Sequence, residues 1–248
     1  MFFAFDVDGT LTPSRKQIDP NFERWFIKWM DAVQEKNISV LLVTGSDYSK
    51  TVEQLGERIV ESVDYCCNCL GNYVLHKNKL IHSYQFEPSH ELINFLESEL
   101  ANSTYTERYG NHIENRGSMV NFSIVGRNAV GEQRTRYYEW DKLSCERLTI
   151  AERINSTFPD VSAQAGGETG IDIIPRGKDK RQVVEYMHDK KVWFFGDRLD
   201  DGGNDKPLAD ALLSLDTTSE AFHVTSWDET WDMLKDISVN NLHITIHP

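Results

Sequence analysis

Apolar residues follow two habits along this chain. Met1–Phe5, Ile38–Val43 and Val192–Phe195 are short runs with no polar alternation, the pattern of strands buried on both faces of a parallel sheet. After the first run, Asp19-Pro20 signals a helix start. Phe22, Trp25, Phe26, Trp29, Met30 and Val33 then recur at helical spacing as one broad apolar face, which reads as core. The second run leads into a helix capped by Ser46 or Asp47 and running to about Glu61. Near Tyr84 the character changes. Ser89–Ala101 is an amphipathic helix, and Met119–Val125 alternates like a half-exposed antiparallel strand with Val120, Phe122 and Ile124 on one side. Helices over Glu132–Lys142 and Ser144–Phe158 precede strands near Val161–Ala165 and Gly170–Ile174, and a further helix spans Arg181–His188. The pattern predicts an α/β core with a parallel sheet (residues 1–83 and 178–248) and an inserted α+β domain with an antiparallel sheet (84–177). No linker is long enough to free the insert, so it reads as a cap folded over the core.

Composition narrows the class. With 40% hydrophobic and 11% aromatic residues the chain builds a packed core, which excludes disorder. Its net charge of −13 disfavours nonspecific binding to nucleic acid or anionic membrane. No apolar run reaches membrane-span length, and the N-terminus lacks a basic region with a cleavage site, so a soluble cytoplasmic protein is expected. Cys66, Cys67, Cys69 and Cys145 lack paired metal-ligand spacing and read as reduced thiols.

Candidate chemistry lies where the apolar runs end. The first ends in Asp6-Val-Asp8-Gly-Thr, two like charges that repel unless a cation sits with them, and oxygen ligands suit Mg²⁺. The second ends in Thr44. The third ends in Gly196-Asp197, followed by an acidic loop with Asn204 and Asp205. Ligands of open α/β sheets bind outside the carboxyl ends of the strands. Lys180 sits at a helix start, the wrong end for a cation on dipole grounds, which points to a functional reason for it. Arginine recurs through the insert at Arg108, Arg116, Arg127, Arg134, Arg136, Arg147 and Arg153, and its planar fork suits phosphate.

Asp6–Thr10, Thr44, Lys180 and Gly196–Asp205 resemble the four motifs of the haloacid dehalogenase superfamily. More narrowly, Asp6 to Arg15, Gly45-Ser46-Asp47 with Glu53–Gly56, Ile113–Arg116, Met119–Arg127, Gln133-Arg134 with Tyr138–Lys142, and Gly166-Gly167 with Asp172 resemble the eukaryotic-type phosphomannomutase family, over residues 1 to about 205. The resemblance implies a Rossmann-like core and a nucleophile at Asp6, with a general acid/base at Asp8. Thr44 and Lys180 would steady the phosphoryl group. Mg²⁺ would bind through Asp6, the Asp8 carbonyl and Asp197, supported by Asn204 and Asp205. Arg15, Arg116, Arg127, Arg134, Gly170 and Asp172 would bind a hexose phosphate. A hexose 1,6-bisphosphate activator and a homodimer formed through the cap are also implied.

The chain departs from the family at Gly170, where a serine is usual, and at Lys178, where a tryptophan is usual. It departs again at Asp200-Asp201 and over Lys206–Ala209. A sugar phosphatase of the same superfamily is the alternative, and a catalytically silent binding module is a third reading. The arginine set favours the mutase, because a phosphatase needs no second phosphate grip.

Overall fold

The computed structural model describes residues 1–187, 190–215 and 218–246. His188, the expected end of one helix, lies outside the described residues. The chain divides into two compact units, Met1–Ser83 with Asp179–Pro248, and Tyr84–Lys178.

The first unit is built on a seven-stranded sheet. Its strands are β1 (Phe2–Phe5), β2 (Ser39–Val43), β3 (Tyr65–Asn68), β4 (Tyr73–His76), β5 (Lys79–Ser83), β10 (Val192–Gly196) and β11 (Glu220–His223), in the order β11-β10-β1-β2-β3-β4-β5. The first five in that order are parallel, and β4 and β5 add an antiparallel hairpin. Lys77 and Asn78 turn that hairpin with positive φ at both positions, as a two-residue hairpin turn requires.

β1 is central, and its side chains serve both faces. Phe3 and Phe5 meet α1 (Pro20–Glu35), with Phe3 5.0 Å from Trp29 and Phe5 5.6 Å from Phe26, ring centre to ring centre and edge to face. Phe2 and Ala4 pack on the opposite face with Val183, Leu208 and Leu212, the last two from α7 (Lys206–Ser214). This is why the strand carries no polar alternation. On the α1 side, α8 (Trp227–Asn240) adds Trp231, stacked 5.3 Å from Phe22.

The single helix expected after β2 is two helices, α2 (Tyr48–Leu55) and α3 (Glu57–Ser62). Gly56 breaks it with φ 79° and ψ 152°, a conformation essentially reserved for glycine. Around Lys180 the chain forms a 3₁₀ helix, Lys180–Tyr186, in place of the expected α-helix.

The second unit is a four-stranded antiparallel sheet of β6 (Ile113–Asn115), β7 (Val120–Phe122), β9 (Gly170–Pro175) and β8 (Val161–Gly166), in that order. Helices α4 (His90–Asn102), α5 (Glu132–Ser144) and α6 (Glu146–Thr157) supply Leu92, Leu96, Tyr137, Ile150 and Ile154 to a core with Val120, Phe122, Ile171 and Ile173. Residues 119–125, expected to be half-exposed, are buried throughout, Asn121 and Ser123 included. Their side-chain donors are partnered inside the protein, which offsets the cost of burial: Asn121 Nδ2 donates to Asp172 and Ser123 Oγ donates to the Thr169 carbonyl, while Asn121 Oδ1 accepts no hydrogen bond.

Candidate active site

Asp6 leaves the end of β1 buried, its backbone N–H donating to Phe195 O of β10. Its Oδ1 lies 2.5 Å from Lys180 Nζ, and the same ammonium lies 2.6 Å from Asp205 Oδ1. Lys180 is fully buried, so these carboxylates are what stabilises its charge. Burial opposes that charge, but Asp205 and Asp6 together outweigh it and hold the lysine pKa above its usual value. Burial pushes the Asp6 carboxyl well above the ordinary aspartate range; Lys180 pulls it down, while Asp205 and Asp197 push it further up. Asp197 is pushed up to about 6, first by burial and then by the Asp205 carboxylate.

Carboxylate oxygens of Asp6, Asp197 and Asp205 lie within 4.8 Å of one another. Three carboxylates thus face one ammonium. Asn204 Oδ1, in the same loop, is buried and accepts no hydrogen bond. An all-oxygen donor set with excess negative charge and an unsatisfied amide oxygen fits a hard divalent cation. Asp205 spends both oxygens elsewhere, one on Lys180 and the other on the Arg198 N–H at 3.0 Å. Asp6 and Asp197 are therefore the better-placed ligands, with Asp205 supporting the loop. Gly9 explains the close approach. Its φ of 79° opens the turn, and a Cβ there would collide with Asp197 Oδ2.

The Asp8 side chain does not join this cluster. Its Oδ1 accepts from the Arg15 N–H at 2.5 Å and from Gln54 Nε2 at 2.9 Å, and its Oδ2 accepts from Ser46 Oγ at 3.4 Å. Two neighbouring carboxylates are thereby given different work, one in the charged cluster and one held by neutral donors. Arg15 meets Asp8 through its backbone, at a positive φ of 59°. Thr44 is buried at the end of β2, its Oγ1 accepting from the Ser46 N–H. Asp47, not Ser46, caps α2, accepting from the Lys50 N–H.

The second unit carries its own polar face. The register places Glu114 opposite Asn121, Asn121 opposite Asp172, and Asp172 opposite Gln164, one row of polar side chains across all four strands. Asn121 Nδ2 donates to Asp172 Oδ1 at 2.6 Å. Gly170 lies beside that pair, and a Cβ there would come 2.6 Å from Asn121 Nδ2, so the glycine fits the amide's position. Arg116 Nε and Arg127 Nε both reach Glu114 Oε2, at 2.8 and 3.1 Å. Arg134 pairs with Glu168 at 3.1 Å and also donates to Thr169 Oγ1.

Four more arginines of the insert have partners within it. Arg147 is buried against Asp141 at 2.7 Å and donates to the Gly167 and Gly170 carbonyls, fastening the β8–β9 turn. Arg108 donates to the carbonyls of Leu100, Tyr105 and Glu107. Arg136 and Arg153 make ion pairs at the surface.

Sequence reasoning assigned no role to Gln54, Glu114 or Asn121, and offered Ser46 only as a helix cap. Gln54 had a signal: it shares a buried helical face with Thr51 and Leu55, where a polar residue needs a reason. Glu114 had one only in its neighbourhood to arginine.

The fold is that of the haloacid dehalogenase-like proteins. A C. albicans trehalose-6-phosphate phosphatase C-terminal domain superposes with a TM-score of 0.68 at 13% identity, over 96% of this chain and 92% of that one. A haloacid dehalogenase-like hydrolase from Bacteroides thetaiotaomicron gives 0.60 at 13%, over 95% and 98%. The sequence is more specific. The profile of eukaryotic phosphomannomutase matches residues 27–240. A phosphomannomutase of Arabidopsis thaliana is 32% identical over 91% of this chain and 92% of its own, and one of Nicotiana benthamiana is 33% identical over 91% and 89%. The chain belongs to the eukaryotic phosphomannomutase family.

Proposed function

We propose that this protein is a phosphomannomutase, interconverting mannose 6-phosphate and mannose 1-phosphate through an aspartyl-phosphate and a hexose 1,6-bisphosphate. The observation that carries the choice of a mutase over a phosphatase is the pair Arg116 and Arg127 converging on one carboxylate oxygen of Glu114. Two guanidinium groups aimed at one anionic oxygen suit a phosphate that is held while another is transferred.

In this reading Asp6 attacks phosphorus, forming its Oδ–P bond as the P–O bond to the sugar breaks, and Asp8 gives its proton to the departing sugar oxygen. In the return step a sugar hydroxyl attacks the aspartyl-phosphate, Asp8 takes the proton, and Asp6 is freed. Lys180 and Thr44 steady the phosphoryl oxygens. Gln54 and the Arg15 N–H keep Asp8 turned away from the charged cluster, leaving it to trade protons. Arg15, Arg116, Arg127 and Arg134 grip phosphate, and Asp172 with the Gly170 backbone meets sugar hydroxyls. Mg²⁺ held by Asp6, the Asp8 carbonyl and Asp197, with Asn204 and Asp205 in support, would neutralise charge between nucleophile and phosphoryl group. Family resemblance also supports a hexose 1,6-bisphosphate activator, a cytoplasmic setting and a homodimer formed through the second unit. Among the described residues no helix is long and apolar enough to cross a membrane.

One assay separates the readings. With mannose 1-phosphate, Mg²⁺ and catalytic bisphosphate, mannose 6-phosphate accumulates without matching free phosphate. Free phosphate as the main product would make the protein a sugar phosphatase, and neither product would leave a binding module.

A further inference from the structure

One cavity of the first unit shares no residue with the Asp6 cluster. It measures about 640 Å³ and is bounded by α1, α8 and the segment after α8. That volume falls within the range of pockets for small organic ligands, roughly 300–1,000 Å³. Trp25, Trp231, Val239, Ile244 and Ile246 supply its apolar wall. The two indoles lie 6.3 Å apart, ring centre to ring centre, and are tilted by 55°.

Charge at this cavity runs against the molecule. The chain carries a net −13, yet among the described residues every charged one lining the cavity is a cation: Arg24, Lys28 and Lys235. Neighbours hold these cations in place. Arg24 Nη2 donates to Asn21 Oδ1 at 2.6 Å, and Lys235 Nζ rests 4.0 Å from the centre of the Trp231 ring while pairing with Asp232. A cation set against an aromatic wall gives a site with one flat apolar side and one positive rim.

We propose that this cavity binds a small planar aromatic anion, its ring against Trp25 and Trp231 and its acidic group toward Arg24, Lys28 and Lys235. A neutral aromatic ring would use the apolar wall alone, and a sugar phosphate would use only the rim. Ring and charge in one molecule use both.

The probe is 2-naphthoate, with its neutral isostere 2-naphthamide as control, followed on the ¹⁵N-labelled full-length protein through the indole N–H signals. Six tryptophans give six such signals. The signals of Trp25 and Trp231, assigned by Trp25→Phe and Trp231→Phe, shift saturably with 2-naphthoate. Those of Trp140 and Trp193 stay put. Affinity for 2-naphthamide is at least tenfold weaker, and rising salt weakens only the carboxylate. Lys28→Gln with Lys235→Gln lowers naphthoate affinity at least tenfold while hexose phosphate turnover is unchanged, which certifies the fold. Equal binding of acid and amide would overturn the anionic part of the proposal. Movement of all six signals together, or of none, would overturn the site.

Discussion

Lys180 is fully buried and holds two carboxylates, so replacing it strands both. Lys180→Met is expected to lose roughly 3–5 kcal/mol of stability, the cost of breaking a buried ion pair from one side. The urea midpoint measures this, and adding Asp205→Asn should restore part of the loss. An unchanged midpoint would mean the pair is not charged in the folded state. Arg127 answers a different question, because it shares an anion position with Arg116. Arg127→Ala should reduce mutase turnover on the order of a hundredfold, as for the loss of a charge-assisted phosphate contact, yet scarcely touch hydrolysis of a small aryl phosphate. An equal fall in both would remove its phosphate role. Residue type alone could name the arginines of the insert but not sort them; the family resemblance is what singled out Arg116, Arg127 and Arg134. Arg147 and Arg127 are the same residue type in the same acidic chain. What separates them is the partner set, a buried carboxylate with turn carbonyls for Arg147 and the Glu114 oxygen shared with Arg116 for Arg127.

The elements legible in the sequence were those whose pattern is also their packing. β1 and β10 are unbroken apolar runs because helices cover both faces, and α1 shows its stripe because one side meets Phe3 and Phe5. β3 to β5 were not read, since Tyr65-Cys-Cys-Asn68 mixes polar with apolar and Lys77-Asn78 is a hairpin turn without the usual glycine. Met119–Val125 reads as half-exposed but is buried, because alternation reports which face is polar and not whether water reaches it. Gly56 was passed over as one more residue of a helix. Its consequence is testable: Gly56→Ala should destabilise by about 1–3 kcal/mol, the usual range for a non-glycine residue held in that backbone region. The nearest atom to the new Cβ, Glu23 Oε1, is 3.6 Å away, so no collision confuses the reading. A stability equal to wild type by urea denaturation would show that the chain can bend there without glycine.

Across the whole molecule, a net charge of −13 makes each further buried carboxylate costly, and the Asp6, Asp197 and Asp205 cluster adds three against one lysine. A cation bound only by the folded protein returns that cost as stability. At a hundredfold excess over Kd this is about 2.7 kcal/mol, about 5–10 °C in Tm for a chain of this size. Mg²⁺ should therefore raise the melting temperature of the wild type, and a chelator should reverse it. Asp197→Asn should lose the Mg²⁺ effect and melt higher than the wild type when both are metal-free at pH 7. The sign follows from the raised folded pKa of about 6. The unfolded chain gives up this proton first, near pH 4, so the folded protein loses stability as pH rises from about 4 to about 6 and carries the full penalty above that. The advantage of Asp197→Asn should accordingly shrink to a small remainder at pH 4, where the folded carboxyl is protonated and the unfolded one about half so. Melting curves at pH 4 and pH 7, with and without Mg²⁺, decide it. A metal-free Asp197→Asn protein that melts below wild type at pH 7, or one that still gains from Mg²⁺, would place the cation elsewhere.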